Sequence, residues 1–165
     1  MANWCTNYVF FTGSKENMKK VNKLFATMCE HNYTTNTGAL PDFIEHPKQD
    51  WFFDIMKPET ETDEYFNYYT KWSSNELDLI DIAKQFNLEF ECEYSESGNC
   101  IFGKSTYKNG LLTNHALEYD EYIKAVPVDK ESEDSGYLYK GEHYESLDEA
   151  LNDILEDKIN NLILK

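Results

Sequence analysis

The sequence predicts an α+β fold in which helices cover one face of an antiparallel sheet. In residues 72–112, a segment with helical periodicity is followed by two segments with a period of two and by glycine-containing turns. This is the pattern of a helix and a strand pair. Residues 7–31 repeat the combination of a strand and a helix. With 165 residues, the chain is long enough to bury a core as one domain, alone or with an appendage.

The first 31 residues predict a strand at 7–12, ended by Gly13, and a helix at 15–31. Ser14 is a candidate N-cap, because its hydroxyl can accept a hydrogen bond from a free amide of the first turn. The apolar residues at helical spacing are Met18, Val21, Leu24, Phe25 and Met28. The outer face carries Lys15, Lys19, Lys20 and Lys23. We interpret this basic face as solvated, with docking of an acidic partner or a phosphate as the alternative.

The middle of the chain predicts a loop at 31–49, a strand at 51–56 and an acidic linker at 59–64. Residues 65–72 form a further predicted strand with five aromatic residues, which are Tyr65, Phe66, Tyr68, Tyr69 and Trp72. We favour a strand covered on both faces. The alternative is that one face is offered to a partner, because Tyr and Trp are enriched at interface hot spots.

A helix is predicted at 74–86, where Ser73 and Glu76 have the spacing of a capping box. Its apolar stripe is predicted to contain Leu77, Ile80 and Ala83, and the residues turned away are Asp78, Asp81 and Lys84.

The period then changes to two in a strand at 88–95. One face holds Leu88, Phe90, Cys92 and Tyr94, and the other presents Glu89, Glu91 and Glu93 to water. Gly98-Asn99 lies in a turn before a strand at 100–107, and Asn109-Gly110 predicts a type I′ hairpin turn. Taken in order, the elements up to residue 95 have the βαββαβ arrangement of a ferredoxin-like fold, which leaves the strand at 100–107 as an additional edge strand.

Three short motifs carry a family resemblance. Tyr94-Ser95-Glu96-Ser97-Gly98 with Phe102-Gly103, Thr70-Lys71-Trp72-Ser73 and Asn3-Trp4-Cys5 resemble signatures of small plasmid and phage proteins with a YubB-type ferredoxin-like domain. The similarity covers roughly residues 2–30 and 65–112, with Ser97 in place of the usual proline. The resemblance implies a ferredoxin-like fold and a mobile-element origin. The resemblance carries no established activity, so no catalytic residues can be transferred from it.

Residues 113–165 are predicted to form an acidic C-terminal extension that packs on a domain of residues 1–112. We expect a short helix or strand at 115–126, a charged flexible loop at 129–136 and a hairpin at 137–144. Ser146 and Glu149 form a second candidate capping box. The last helix has a wide apolar stripe of Leu147, Ala150, Leu151, Ile154, Leu155, Ile159, Leu162 and Ile163. This stripe packs on the chain's own sheet or hairpin, or it forms a dimer seam.

The charge distribution argues against direct nucleic-acid binding. The formal net charge is −16, and residues 57–165 hold 10 Lys and 25 acidic residues. All fifteen basic residues are Lys, whereas Arg is the preferred bidentate ligand for phosphate and guanine. A strong negative field also repels a phosphate backbone. The simpler interpretations are that the acidic surface provides solubility and that an AT-rich genome accounts for the absence of Arg.

No pattern of residues predicts catalysis or a metal site. The histidines His31, His46, His115 and His143 are scattered without HxH or HxxxH spacing. Thr12-Gly13-Ser14 supplies only one glycine to a candidate phosphate loop. The cysteines Cys5, Cys29, Cys92 and Cys100 lack CxxC spacing and are expected to be free thiols in a cytoplasmic protein. We therefore expect no enzyme activity, no cofactor, no catalytic residue and no metal ligand.

The function favoured by the sequence is that of a non-enzymatic interaction protein of a phage or mobile element. Its acidic surface would occupy the basic channel of a host defence protein, such as a CRISPR effector or a restriction enzyme. The predicted partner-binding residues are Glu89, Glu91, Glu93, Glu96, Tyr65, Tyr68, Glu118, Asp120 and Glu121. The alternatives are a nucleotide or small-ligand binder with an aromatic pocket (Trp4, Trp51, Trp72 or the 65–69 cluster) and a structural protein that forms a homodimer through its C-terminal helix. We expect no contact with a membrane.

Overall fold

A computed structural model describes residues 3–60, 62–128 and 136–163. Within these residues, five antiparallel strands form a sheet in the order β2-β1-β3-β4-β5. The strands are β1 (Trp4–Thr12), β2 (Tyr65–Lys71), β3 (Glu89–Glu96), β4 (Ile101–Lys108) and β5 (Leu111–Ala116). Two helices, α1 (Lys15–Thr35) and α2 (Glu76–Phe86), supply buried residues to the core on one face of this sheet. The α+β class is confirmed.

β1 is the centre of the ferredoxin-like core. It pairs antiparallel with β2 on one side and with β3 on the other, so β2 and β3 run in the same direction. α2 connects them by crossing over β1, which is the split βαβ arrangement of a ferredoxin-like fold. The predicted strands at 7–12, 65–72 and 88–95 therefore occupy the expected places, and β1 begins three residues earlier than predicted.

The segment predicted as a strand at 51–56 forms two isolated bridges instead, between Ala39 and Phe52 and between Phe53 and Tyr69. It lies beside β2, where the remaining strand of a ferredoxin-like core belongs. Asp54 has a φ of 44°, and this left-handed backbone interrupts the extended conformation. The prediction of a regular strand is wrong, although the position of the segment is right.

The core on the helical face follows the alternation of the strands, which the sequence predicts for residues 88–95. β1 contributes Cys5, Val9 and Phe11, and β3 contributes Phe90, Cys92 and Tyr94. α1 buries Met18, Val21, Phe25 and Met28, and Ser14 Oγ accepts a hydrogen bond from Asn17 N at 3.2 Å. The N-cap prediction is confirmed. The four lysines of α1 lie on its exposed side, as expected.

α2 differs from its prediction in the position of its apolar stripe. The helix begins at Glu76 with Asn75 as N-cap, and no side chain caps it, so the capping box of Ser73 and Glu76 is absent. Leu77 is exposed, whereas Leu79, Ile82 and Ala83 are buried. Asp78 is also fully buried, although it was predicted to face solvent. The buried stripe is rotated relative to the prediction because two carboxylates at the helix start are buried. Neutral groups from other segments donate hydrogen bonds to these carboxylates.

The two later strands extend the sheet beyond β3. A short 3-10 turn at Ser97–Asn99 connects β3 to β4, as predicted. β4 and β5 form a hairpin in which Asn109 and Gly110 both have positive φ, at 52° and 79°; this confirms the type I′ signal. β5 pairs with β4 on its outer side, so β4 is an interior strand. The predicted domain boundary at residue 112 falls inside β5.

The C-terminal elements form a second core on the opposite face of the sheet. They are α3 (Tyr119–Tyr122), a small sheet of β6 (Val126–Pro127), β7 (Tyr137–Tyr139) and β8 (Glu142–Tyr144), and α4 (Leu147–Ile163). The second core contains Phe102, Leu117, Tyr122, Ala125, Ala150, Leu151, Ile154 and Leu155. Since Phe102 points to the face opposite Gly103 and Tyr107, α4 covers the β4 side of the outer face. Packing within the chain thus accounts for the buried stripe of α4.

Two further C-terminal predictions are confirmed. Glu149 N donates to Ser146 Oγ and Glu149 Oε2 accepts from Ser146 N, both at 3.3 Å, so this capping box forms. β7 and β8 pair around Lys140-Gly141, where both residues have positive φ. Residues 129–135 of the predicted charged loop lie outside the described residues. No helix in the described part of the chain is long and apolar enough to span a membrane.

Candidate functional site

The outer face of β1, β2 and the adjoining residue 53 carries a cluster of exposed and partly exposed aromatic side chains, which we call the aromatic face. Alternation along the strands places these rings on the side away from α1 and α2, and α4 leaves them uncovered. The cluster consists of Trp4, Tyr8, Phe10, Phe53, Tyr65 and Tyr69. Trp4 and Tyr8 are 46% and 48% exposed, and Tyr65 is 74% exposed. Exposed apolar residues that form a contiguous group on a rigid sheet are typical of a binding surface.

The strand register and direct ring contacts hold this face in place. Trp4 packs edge-to-face against Phe53 and Tyr69, with centroids 5.1 Å and 6.4 Å away. Phe10 lies opposite Tyr65, with their rings 4.8 Å apart. Tyr8 stands between these two groups, because its register partner on β2 is Asn67. The rings therefore form a group of three and a pair, with the single phenol of Tyr8 between them.

The aromatic face already contacts one cation. Lys71 Nζ lies 4.6 Å from the centroid of the Phe53 ring, within the range of a cation–π interaction. A shallow groove of about 370 Å³ borders the other end of the face, between Tyr8, Tyr65 and the segment around Pro58. The face thus offers flat rings in its centre and a groove at its rim.

Carboxylates border the aromatic face along β3. Glu93 lies opposite Tyr8 and Glu91 opposite Phe10 in the β1–β3 register. Burial raises the pKa of Tyr8, and the nearby charges of Asp148 and Glu93 raise it further. Tyr8 therefore lies in a region of negative potential where a cationic group would be favoured.

The predicted row of Glu89, Glu91 and Glu93 faces outward, but intramolecular contacts engage each of the three. Glu91 forms an ion pair with Lys104 at 3.2 Å. Glu89 Oε1 accepts from Asn109 N at 3.0 Å, and Glu93 Oε1 accepts from the Asn152 amide at 3.3 Å. Glu91 is the most exposed of them, so the row is less free than the sequence suggested.

Two predicted partner-binding residues need correction because they are buried. Glu96 is 3% exposed and its carboxylate accepts from Gly98 N and Asn99 N, at 2.7 Å and 2.9 Å. It therefore fixes the turn after β3. Tyr68 is fully buried and donates to Asn75 Oδ1 at 2.8 Å. Of the two tyrosines predicted to bind a partner protein, Tyr65 and Tyr68, only Tyr65 belongs to the aromatic face.

The remaining predicted residues lie elsewhere on the molecule. Glu118 and Asp120 are exposed at the start of α3, and Glu121 forms an ion pair with Lys158 at 2.6 Å. α3 packs against α4 and β4, whereas the aromatic face lies on β1 and β2. The structure therefore does not bring these three acids together with Tyr65.

Sequence reasoning missed Tyr8 and Phe10 as binding candidates. Their signal was present, because Trp4, Thr6, Tyr8 and Phe10 alternate with buried residues along β1. The predicted strand at 7–12 begins after Trp4 and Thr6, so it does not include the full alternation. Of the three tryptophans considered for an aromatic pocket, Trp4 lies in the aromatic face; Trp51 and Trp72 are exposed near its end.

The motif residues of the family resemblance have structural roles. A Cβ on Gly103 would lie 2.4 Å from Tyr94 Oη, so only glycine lets the tyrosine ring cross β4. Tyr94 Oη in turn donates to Asn114 Oδ1 at 2.8 Å. With Glu96 capping the turn, these residues shape the β3–β4–β5 region.

Two buried carboxylates at the start of α2 anchor this helix, one to the loop before β2 and the other to β4 and β5. Asp78 accepts from the backbone N–H groups of residues 48, 49 and 50, at 2.7, 2.9 and 3.4 Å. Glu76 accepts from Ser105 Oγ and Asn114 Nδ2, both at 3.1 Å. Their hydrogen-bond donors are neutral, so we assign both a structural role. Among residues 3–60, 62–128 and 136–163, no group of three or more His, Cys, Asp or Glu side chains could hold a metal ion.

Comparison with known proteins gives one match. The model of a family described as "Ferredoxin-like domain in Api92-like protein" matches residues 51–153, which is well over half of the chain. The matched range contains β2, α2, β3, β4 and β5 and extends into α4. No curated protein and no solved structure matches the chain.

Proposed function

Since the chain belongs to the family of the ferredoxin-like domain in Api92-like protein, we propose that it has the YubB-type domain and the plasmid or phage origin that its motifs resemble. Its proposed function is that of a non-enzymatic, cytoplasmic interaction module that inhibits a nucleic-acid-binding host defence protein, such as a CRISPR effector or a restriction enzyme. The aromatic face and its carboxylate border are the surface that would bind this protein.

The observation that carries the proposal is the placement of Tyr8 between flat rings and acids. A basic segment of a partner can stack an arginine on an aromatic ring and direct its guanidinium to a carboxylate. The contact of Lys71 with Phe53 is an intramolecular example of the first interaction. Proteins that bind nucleic acids present such basic segments to phosphates, so they are the partner class that this surface fits.

The charge of the C-terminal elements adds a long-range attraction for a basic partner. Residues 136–163 contain seven acidic residues and two lysines. Lys140 pairs with Asp157 and Lys158 pairs with Glu121, each at 2.6 Å. The ion pairs within the described residues leave Glu142, Glu145 and Glu156 without a lysine partner. Such a field speeds association with a basic surface, and salt screens it.

A pull-down from bacterial lysates that contain restriction and CRISPR complexes tests this proposal. We expect a nucleic-acid-binding protein to be retained at low salt and released both by high salt and by competing DNA. The double variant Trp4→Ala/Tyr8→Ala should lose this protein, since it removes the centre of the aromatic face. Tyr33→Ala is the matched control, because Tyr33 is 89% exposed on α1, away from the sheet face. Equal retention by the double variant, or binding that high salt does not weaken, would contradict the proposal.

A second candidate function is the binding of a nucleotide or another small planar ligand to the same face. Aromatic side chains on a sheet are a stacking platform for bases, worth about 1–3 kcal/mol per base. Trp4 is a reporter at this site, so a titration with a panel of nucleotides should quench tryptophan fluorescence, and Trp4→Phe should remove most of the change. If no nucleotide in the panel changes the tryptophan fluorescence, this candidate function is rejected.

A further inference from the structure

β5 is the last strand of the five-stranded sheet. The β4–β5 pairing determines which main-chain N–H and C=O groups of β5 point away from the sheet. Leu117 N donates to Phe102 O at 2.9 Å, which fixes the pair of residues 102 and 117 as hydrogen-bonded. Hydrogen-bonded pairs alternate along an antiparallel ladder. Leu111, Thr113 and His115 therefore bond to β4, and the main-chain groups of Leu112 and Asn114 point away from it.

These outward groups are available in the described part of the chain. Ala116 O, the next outward acceptor, binds Lys158 Nζ at 2.7 Å. For the main-chain N–H and C=O of Leu112 and Asn114, no described residue is a partner. The Asn114 side chain is held by Tyr94 and Glu76, at 2.8 Å and 3.1 Å, so this part of the edge is fixed in an extended conformation.

Apart from Lys158 at Ala116 O, the edge lacks the features by which proteins prevent pairing with another strand. Residues 111–116 contain no proline and no Lys, Arg, Asp or Glu, although such residues commonly protect an edge strand. At the opposite edge of the sheet, Asp54 with its positive φ interrupts the chain beside β2. β5 is thus an uncharged strip at the border of a chain with a net charge of −16.

We infer that a second copy of the chain pairs with β5 in an antiparallel, two-fold symmetric arrangement centred on Thr113. In this register Leu112 of one copy faces Asn114 of the other, and the two Thr113 side chains lie opposite each other on the axis. The outward main-chain groups of both residues are then satisfied, and the two sheets become continuous. An uncharged strip such as β5 lowers the local repulsion between two chains that each carry a charge of −16. This inference is independent of the proposed function.

Charge substitutions on the axis test this register. Thr113→Lys and Thr113→Glu each place like charges opposite one another in their own dimer, whereas a mixture places opposite charges together. We expect the mixed dimer to form with an affinity roughly fivefold or more above that of either variant alone. The affinities are measured by sedimentation equilibrium, with a size tag on one variant. Thr106→Lys, on the neighbouring interior strand and opposite Thr113, is the matched control and should dimerise like the wild type.

The salt dependence gives a second, separate readout. Salt should strengthen the dimer, because it screens the repulsion between two acidic copies, whereas it should weaken the proposed partner complex. A wild-type chain that is monomeric at high protein and salt concentrations overturns the inference. A dimer with equal affinities for both variants and their mixture also overturns it, because that dimer would use another surface.

Discussion

Asp78 offers a sharp test of the buried polar contacts that organise this fold. It is fully buried and accepts backbone hydrogen bonds from residues 48, 49 and 50, of which two are shorter than 3.0 Å. A hydrogen bond to a charged group contributes about 1.5–3 kcal/mol. Asp78→Asn keeps the shape, but it removes the charge and directs an amide NH₂ group at a backbone N–H. We expect a loss of about 2–4 kcal/mol in the free energy of unfolding.

Urea unfolding followed by circular dichroism measures this loss, with Asp81→Asn as the matched control. Asp81 lies on the same helix and forms an ion pair with Lys48 at 2.6 Å. That pair is accessible to solvent, so its loss should cost about 1 kcal/mol or less. Hydrogen exchange should also accelerate at residues 48–50 in Asp78→Asn alone. If both variants lose the same small amount of stability, the assigned role of Asp78 is refuted.

Three further predictions concern protonation and backbone geometry. Burial raises the pKa of the Cys5 thiol to about 12, against an ordinary value of 9.0. The contribution of the neutral thiol to the free energy of unfolding should therefore be fully present below pH 9 and be lost as the pH rises towards 12. Cys5→Ala should make this fall less steep, by up to about 1.4 kcal/mol per pH unit, in urea unfolding series across this range; an unchanged slope would contradict it. Gly103→Ala should lower the melting temperature through a loss of about 1–3 kcal/mol, because the new methyl group meets Tyr94 Oη at 2.4 Å. Gly110→Ala has open space around its Cβ but a φ of 79°, so it should cost only about 1 kcal/mol; a larger loss than at Gly103 would reverse this ranking.

Local patterns were enough to predict most elements of the sheet. The alternation from Leu88 to Tyr94 correctly separated buried from outward residues, because a strand presents successive side chains to opposite faces. Asn109-Gly110 predicted its turn for a similarly local reason, since both residues tolerate positive φ. The prediction of a regular strand at 51–56 was wrong, because the left-handed backbone at Asp54 interrupts the extended conformation and does not follow from the residue types of this segment.

The candidate site was harder to predict than the fold. The outward direction of Glu91 followed from strand periodicity, whereas Tyr65 was a candidate because residues 65–72 are rich in aromatic side chains. Glu96 and Tyr68 did not, because a carboxylate or a phenol is buried only where other segments supply hydrogen bonds, as the turn after β3 and Asn75 do here. The contribution of Tyr8 required knowing that β1 lies between β2 and β3.

The sequence by itself thus determined the α+β class, the apolar face of β3 and the strong acidity of the chain, since these depend on residue type and on spacing along a single segment. Only the tertiary structure decided which polar groups are buried and which part of the sheet is left open. Asp78 is buried because a loop some thirty residues away donates to it. The rings of β1 and β2 stay exposed because α4 packs over Phe102 on β4. Both outcomes depend on contacts between distant segments, which no local pattern encodes.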